Sequence, residues 1–278
     1  MRFDNGAWEL YAETFGSGPA VVLLHGAGNS MMSWDAELCE AIADRGRLVV
    51  RLDSRDAGQS ARAADAVPYS MYDTATDVVA LLDALELPAA TLAGASLGGV
   101  TAQIVAVEHR ARVDGLVLIS TTPGGDDLPG PVEGVFGSEP ETPDWNDRAA
   151  VVRYLVELER PYGGRAFDEA LMTRIAERTV DHAADLPAQL RYPFEVEGGP
   201  PGRDRLGDIR APTVVVHGTD DPAFPIEHGR ALAAGIPGAR LLALDGFGHA
   251  TVPRVFWPEL ISSLPAPPPR AGGQARRT

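Results

Sequence analysis

Apolar and polar positions along the chain follow two rhythms. Trp8 to Phe15 (WELYAETF) alternates closely enough to predict an early antiparallel strand, followed by a Gly-Ser-Gly-Pro turn at 16–19. Beyond it come short, almost unbroken apolar runs: Val21–Leu24, Arg47–Asp53, Ala89–Ala93, Gly115–Ser120, Pro212–Val216 and Ala239–Leu244. A strand that is apolar on both faces needs cover on both faces, so these runs predict the buried strands of a mainly parallel sheet. Between them, Trp34–Ala43, Tyr72–Leu85 and Val100–His109 carry helical spacing. The second has Asp73 near its start and stops before Pro88. Strands alternating with helices at this interval predict an α/β architecture with helices packed on both sides of the sheet.

The rhythm breaks between Pro123 and about Gly207. Glycine, proline and acidic residues give way to helical stretches near 147–159, 166–182 and 184–194, with no strong strand among them. Pro200-Pro201-Gly202 marks a return loop. The expected organisation is therefore a core of residues 1–122 and 208–264, with a helical cap, 123–207, inserted between strands 6 and 7. A last helix is expected over about 253–263, and a disordered, low-complexity tail over 265–278, beginning PAPPPRAGG.

Composition narrows the function classes. At 278 residues the chain can bury one large core. A net charge of −15 sets it against nucleic-acid phosphates and anionic lipid, so the expected partner is a small molecule rather than a nucleic acid or a membrane. With no basic start leading into an apolar run, and no apolar stretch of spanning length, a soluble cytoplasmic protein is the expectation. Cys39, the only cysteine, rules out an internal disulfide and is expected on the apolar face of a helix.

The segment with the most chemical content is Leu92-Ala93-Gly94-Ala95-Ser96-Leu97-Gly98-Gly99, where an apolar strand runs through Gly-x-Ser-x-Gly into a helical pattern. A serine hydroxyl is a weak nucleophile at neutral pH and must be lifted from the backbone beside a base; a strained strand-to-helix turn does this. Leu97 would open the helix with a free N–H aimed at developing negative charge.

The base is expected at His249, in Gly246-Phe247-Gly248-His249-Ala250 directly after the last strand. The other histidines suit it less. His217 ends a buried strand, His109 lies at a helix end, His182 sits in the insertion where it can line a pocket, and His228 reads as helical and exposed. Asp221, in His217-Gly218-Thr219-Asp220-Asp221-Pro222 after the penultimate strand, is preferred to Asp220 as the carboxylate that orients the base. The order Ser96, Asp221, His249 is the one expected of a serine nucleophile on this kind of sheet.

The loop His25-Gly26-Ala27-Gly28-Asn29 follows the first central strand, and the Ala27 N–H is assigned with that of Leu97 to the oxyanion hole; His25 is expected to shape the loop. Gly26, Met31, Met32, Trp34 and Phe224 are expected to border the substrate pocket. From the insertion, Trp145 and Tyr192 are expected to join them, out of a wider aromatic set that adds Phe136, Tyr154, Tyr162, Phe167 and Phe194. Chemistry of this kind calls for no cofactor and no metal.

With the His-Gly loop at 25–26, the elbow at 94–98, Asp221 and His249, the chain resembles an α/β-hydrolase over essentially its full length before the tail. Serine at 96 sets it apart from relatives on that fold that attack with aspartate, such as haloalkane dehalogenases and epoxide hydrolases. Arg51-Leu52-Asp53-Ser54-Arg55-Asp56-Ala57-Gly58-Gln59-Ser60 and His228-Gly229 with the following helix resemble the aclacinomycin methylesterase group of polyketide-tailoring enzymes. That resemblance implies hydrolysis of a methyl ester on a bulky aromatic substrate. His25-Gly26-Ala27 departs from the Met-Gly-Gly run of that group, which leaves the substrate open. A serine carboxylesterase is the first expectation. A lactonase, enol-lactonase or C–C hydrolase with the same triad is the alternative, and a ligand-binding protein without turnover is the third.

Overall fold

The computed structural model of the chain describes residues 1–60, 68–137 and 140–266. Eight strands form one sheet: β1 (Arg2–Asn5), β2 (Trp8–Gly16), β3 (Ala20–Leu24), β4 (Leu48–Asp53), β5 (Ala90–Ala95), β6 (Val113–Ile119), β7 (Thr213–Gly218) and β8 (Arg240–Leu244), in the order β1-β2-β4-β3-β5-β6-β7-β8. β2 pairs antiparallel with β1 and β4, and every pairing from β4 to β8 is parallel. The short edge strand β1 was not expected, because only Phe3 of its four residues turns into the core, too little for a periodic signal.

Alternation along the central strands builds two cores. Val22, Leu24, Val50, Leu52, Leu92, Leu116, Leu118 and Val215 face one side, where α2 (Met71–Ala84), α3 (Leu97–Glu108) and α7 (Ile226–Gly235) cover them. Val21, Leu23, Val49, Ala93, Val117, Ile119, Val214 and Val216 face the other, under α1 (Ala36–Ala43) and α8 (Trp257–Ser263). This is why the strands read as solid apolar runs. Cys39 lies wholly buried on α1, and burial pushes its thiol up to about 12, far from a reactive thiolate.

Helix starts follow local capping chemistry. Asp35 caps α1 by accepting from the Glu37 N–H, which moves the start two residues past the expected Trp34. Ser70 and Asp73 form a reciprocal capping box on α2. Between β6 and β7 run α4 (Arg148–Glu159), α5 (Glu169–His182) and α6 (Leu186–Arg191), each begun by an aspartate cap: Asp147, Asp168 and Asp185. These helices share a small core of their own around Val151, Leu155, Ala176 and Leu186. At the chain's end the expected helix splits into a 3-10 turn, Arg254–Phe256, and α8, whose first turn holds Pro258, a position where the missing N–H costs nothing. The tail expected to be disordered from 265 lies, beyond residue 266, outside the described residues. Among the described residues no helix is long and apolar enough to cross a membrane.

Candidate active site

Each residue expected to act chemically sits where a parallel strand ends. Ser96 joins β5 to α3 with φ 50° and ψ −116°, a left-handed conformation that L residues rarely hold. The surroundings pin it: the Ser96 N–H donates to the Ile119 carbonyl at 2.9 Å, and the Ser96 carbonyl accepts from Thr121 Oγ1 at 2.8 Å. Only glycine fits at the flanking positions. A Cβ on Gly94 would stand 2.2 Å from the Gly98 carbonyl oxygen, and one on Gly98 would stand 2.4 Å from that of Leu24.

His249 follows β8 in a loop held against the insertion, its N–H donating to the Tyr162 carbonyl at 2.6 Å. Gly248 has to be glycine, since a Cβ there would meet that same Tyr162 oxygen at 1.9 Å. His249 Nε2 stands 2.9 Å from Ser96 Oγ, and Nδ1 stands 2.9 and 3.1 Å from the two carboxylate oxygens of Asp221. A carboxylate only accepts, so Nδ1 carries the proton and the Nε2 lone pair faces the serine hydroxyl. Asp221 is buried after β7, where Oδ1 also accepts from the N–H groups of Ala223 and Phe224 at 3.0 and 2.8 Å. Burial opposes its ionisation, yet the bond from His249 and the electrostatic attraction of the His249 and His217 rings outweigh that and hold its carboxyl below the usual range.

Asp220, the neighbour passed over in the sequence, points outward. Arg165 binds it at 2.7 Å, and this bond is the main reason its carboxyl falls to about 2. His217 is fully buried and donates from Nε2 to the Phe224 carbonyl at 2.7 Å; burial pushes its pKa down. His109 ends α3. His182 meets Asp53 at 2.6 Å and does not line the cavity described below. His228 is not exposed as expected: it bonds Thr122 Oγ1 at 2.8 Å and donates to the Pro129 carbonyl at 2.9 Å, because the helix turns that face onto the 122–129 loop.

The loop after β3 reaches the serine. A Cβ on Gly26 would stand 3.3 Å from Ser96 Cβ. His25 donates from Nδ1 to the Gly26 carbonyl at 2.8 Å and accepts at Nε2 from the Ser54 N–H at 3.1 Å, which fixes the loop's first residues; burial pushes its pKa down. Ala27 lines the space beside Ser96, and Leu97, as the first residue of α3, has an N–H without an acceptor in its own helix.

A cavity of about 670 Å³ opens above Ser96 and His249, bounded by the strand ends below and by α4, α5 and the 193–196 segment above. Of the expected pocket residues, Gly26, Trp34 and Phe224 line it. Met31, Met32, Trp145 and Tyr192 do not. Met31 and Met32 form a 3-10 turn whose side chains go down into the core, with the Met31 N–H bonded to Asp53 at 2.9 Å. Trp145 lies outside on the edge of Tyr154, at 5.8 Å between rings, and Tyr154 is the ring that reaches the cavity. Tyr192 sits under the Arg191 guanidinium, while Pro193 and Phe194 line the space. Phe136 and Tyr162 also line it, and Phe167 does not. Asn29, at the end of the loop after β3, lines it as well, and so do Met172 and Glu159, two residues that no sequence motif singled out. Among the described residues, no group of three His, Cys, Asp or Glu stands together as a metal site requires.

A family model for the alpha/beta hydrolase fold matches residues 19–253. The chain belongs to the alpha/beta hydrolase fold family. Among its relatives is the rhodomycin D methylesterase of Streptomyces sp. strain C5, 29% identical over 267 residues, which cover 87% of this chain and 89% of the relative. A 2-hydroxy-6-oxo-2,4-heptadienoate hydrolase of Pseudomonas putida is 28% identical over 257 residues, 88% of this chain and 87% of that one. Among solved structures, the enol-lactonase of Burkholderia xenovorans LB400 superposes on this α/β hydrolase with a TM-score of 0.70 at 25% identity, covering 92% and 96% of the two chains.

Proposed function

We propose that this α/β hydrolase is a serine carboxylesterase in which Ser96 is the nucleophile, His249 the general base and Asp221 the group that fixes the histidine tautomer. The observation that carries the reading is the unbroken line from Asp221 through His249 to Ser96, with 2.9 Å at each junction. His249 Nε2 takes the proton from Ser96 Oγ as the oxygen attacks the ester carbonyl. The tetrahedral oxyanion is held by the N–H groups of Ala27 and Leu97, each worth roughly 3–4 kcal/mol of transition-state stabilisation. Nε2 then passes its proton to the departing alkoxide, leaving an acyl-enzyme. Water loses a proton to the same nitrogen as it attacks the acyl carbon, and Nε2 then passes that proton to the departing Ser96 Oγ, releasing the acid and the free serine.

The helical segment 123–207 acts in this reading as a cap that selects the substrate. An apolar cavity of about 670 Å³, walled by Trp34, Tyr154, Phe224 and Phe194, suits a bulky aromatic ester, and the methylesterase relative supports a methyl ester of a polyketide-like compound as the substrate class. The enol-lactonase neighbour supports a second reading, since the same three residues would open a cyclic ester.

The test is hydrolysis of p-nitrophenyl esters and labelling by a serine-reactive phosphonyl fluoride, with wild type and Ser96→Ala side by side. Turnover and a covalent mass shift are expected for wild type only. Full activity in Ser96→Ala would sink the mechanism. A panel of aromatic methyl esters, lactones and vinylogous diketones scored by product mass separates esterase from lactonase and C–C hydrolase.

A further inference from the structure

Glu159 closes α4 with its carboxyl group inside the cavity that holds Ser96 and His249. Its one hydrogen-bond partner among the described residues is Asn29, whose Nδ2 donates to Oε1 over a long 3.4 Å. Among the described residues no arginine pairs with it, and Arg160 next in the chain turns to Glu157 and Glu169, at 3.0 and 3.1 Å. The other carboxylate on the cavity wall, Asp35, is already held by Arg174 and Arg178 at 3.1 and 3.2 Å. Among the described residues the wall contains no arginine or lysine, so a negatively charged substrate group finds no fixed cation there to offset its repulsion by Glu159. Burial pushes the Glu159 carboxyl up, with the Asn29 bond and the charge of His249 opposing that rise only in part. An acid in such a place is short of hydrogen bonds, and a ligand that brings a donor supplies what the protein withholds.

We propose that Glu159 determines specificity by accepting a hydrogen bond from a hydroxyl or ammonium group that the substrate carries away from its scissile carbonyl, and by turning away esters with a carboxylate at that place. The proposal rests on the esterase reading above. A purely structural tie between Glu159 and Asn29 predicts no such discrimination.

The experiment compares kcat/KM of wild type, Glu159→Gln and Glu159→Leu on p-nitrophenyl esters of hexanoate, ω-hydroxyhexanoate, ω-aminohexanoate and adipate. Wild type is expected to favour the hydroxy or amino ester over the adipate ester by about tenfold or more, the worth of one hydrogen bond to a charged group. Glu159→Leu is expected to bring those ratios toward one, and Glu159→Gln to erase the preference for the ammonium while keeping part of that for the hydroxyl. Inhibition of wild type by hexanol, hexylamine and hexanoate gives the same ranking should a variant fail to fold. Equal use of all four esters, unranked inhibition, or ratios that stay the same in the variants overturns the proposal and leaves the esterase reading standing. Hydrolysis of none of the four by wild type overturns the esterase reading, and the proposal with it.

Discussion

Gln189, fully buried on α6, holds Gly28 of the loop after β3: its Nε2 donates to the Gly28 carbonyl at 3.1 Å while its Oε1 accepts from the Gly58 N–H at 2.9 Å. One carboxamide thus joins the inserted helices to two loops of the sheet. The Ala184 N–H on the Gly58 carbonyl at 2.9 Å and His182 on Asp53 at 2.6 Å add to the same seam. Replacing Gln189 by leucine strands a half-buried carbonyl and a buried N–H, and is expected to cost about 1–3 kcal/mol of stability. Because Gly28 neighbours Ala27, kcat is expected to fall more than KM rises. Denaturant unfolding and steady-state kinetics check the two parts separately.

The φ of 50° at Ser96 is a backbone strain held in place by the bonds to Ile119 and Thr121. Ser96→Ala and Ser96→Gly both remove the proposed nucleophile, but glycine adopts this conformation freely. The glycine variant is therefore expected to be more stable than the alanine variant by about 1 kcal/mol. Thermal melts of the two variants decide it, and equal melting temperatures would deny the strain.

Asp221 predicts a pH effect with a definite sign. Its carboxyl is held lower in the folded protein than in the unfolded chain, where it lies near ~3.9. The stabilisation is therefore complete above that value and is lost as pH falls through the lower folded one. The stability difference between wild type and Asp221→Asn is expected to shrink below about pH 4. At neutral pH the amide no longer demands a proton on Nδ1, and kcat is expected to fall by roughly 10³–10⁴. Urea titrations across the acid range and a kcat measurement at neutral pH test each half.

Arg55 and Asp77 form a buried two-point pair at 2.7 and 2.8 Å, with the guanidinium over the rings of Trp8 and Tyr69 at 5.2 and 5.3 Å. Asn5 Nδ2 donates to the same carboxylate at 2.7 Å. Removing either charge strands the other, so Arg55→Met and Asp77→Leu are each expected to cost about 3–5 kcal/mol, and the double variant much less than their sum. A double-mutant cycle by denaturant unfolding measures the coupling. The pair gives the 51–60 segment an architectural role, tying the loop after β4 to α2.

The amino-acid sequence by itself determined whatever depends on near neighbours in the chain. The solid apolar runs made buried strands, aspartate and serine caps began helices close to where they were expected, and Gly94 and Gly98 marked a turn that tolerates no Cβ. The placement of Ser96, Asp221 and His249 was legible because each lies in the loop that follows a strand, and parallel strands deliver their ends to one edge. The tertiary structure alone decided which side chains border the cavity. Met31 and Met32 lie three and two residues from Trp34, yet the 3-10 turn sends them into the core while Trp34 lines the cavity. Trp145 and Tyr154 touch, and only Tyr154 looks inward. Gln189 and Glu159 carry no motif; their partners Gly28 and Asn29 are 161 and 130 residues away in sequence. Cavity walls and buried hydrogen bonds are set by how one helix is rotated against another, and that rotation is a property of packing between distant segments, not of any local pattern.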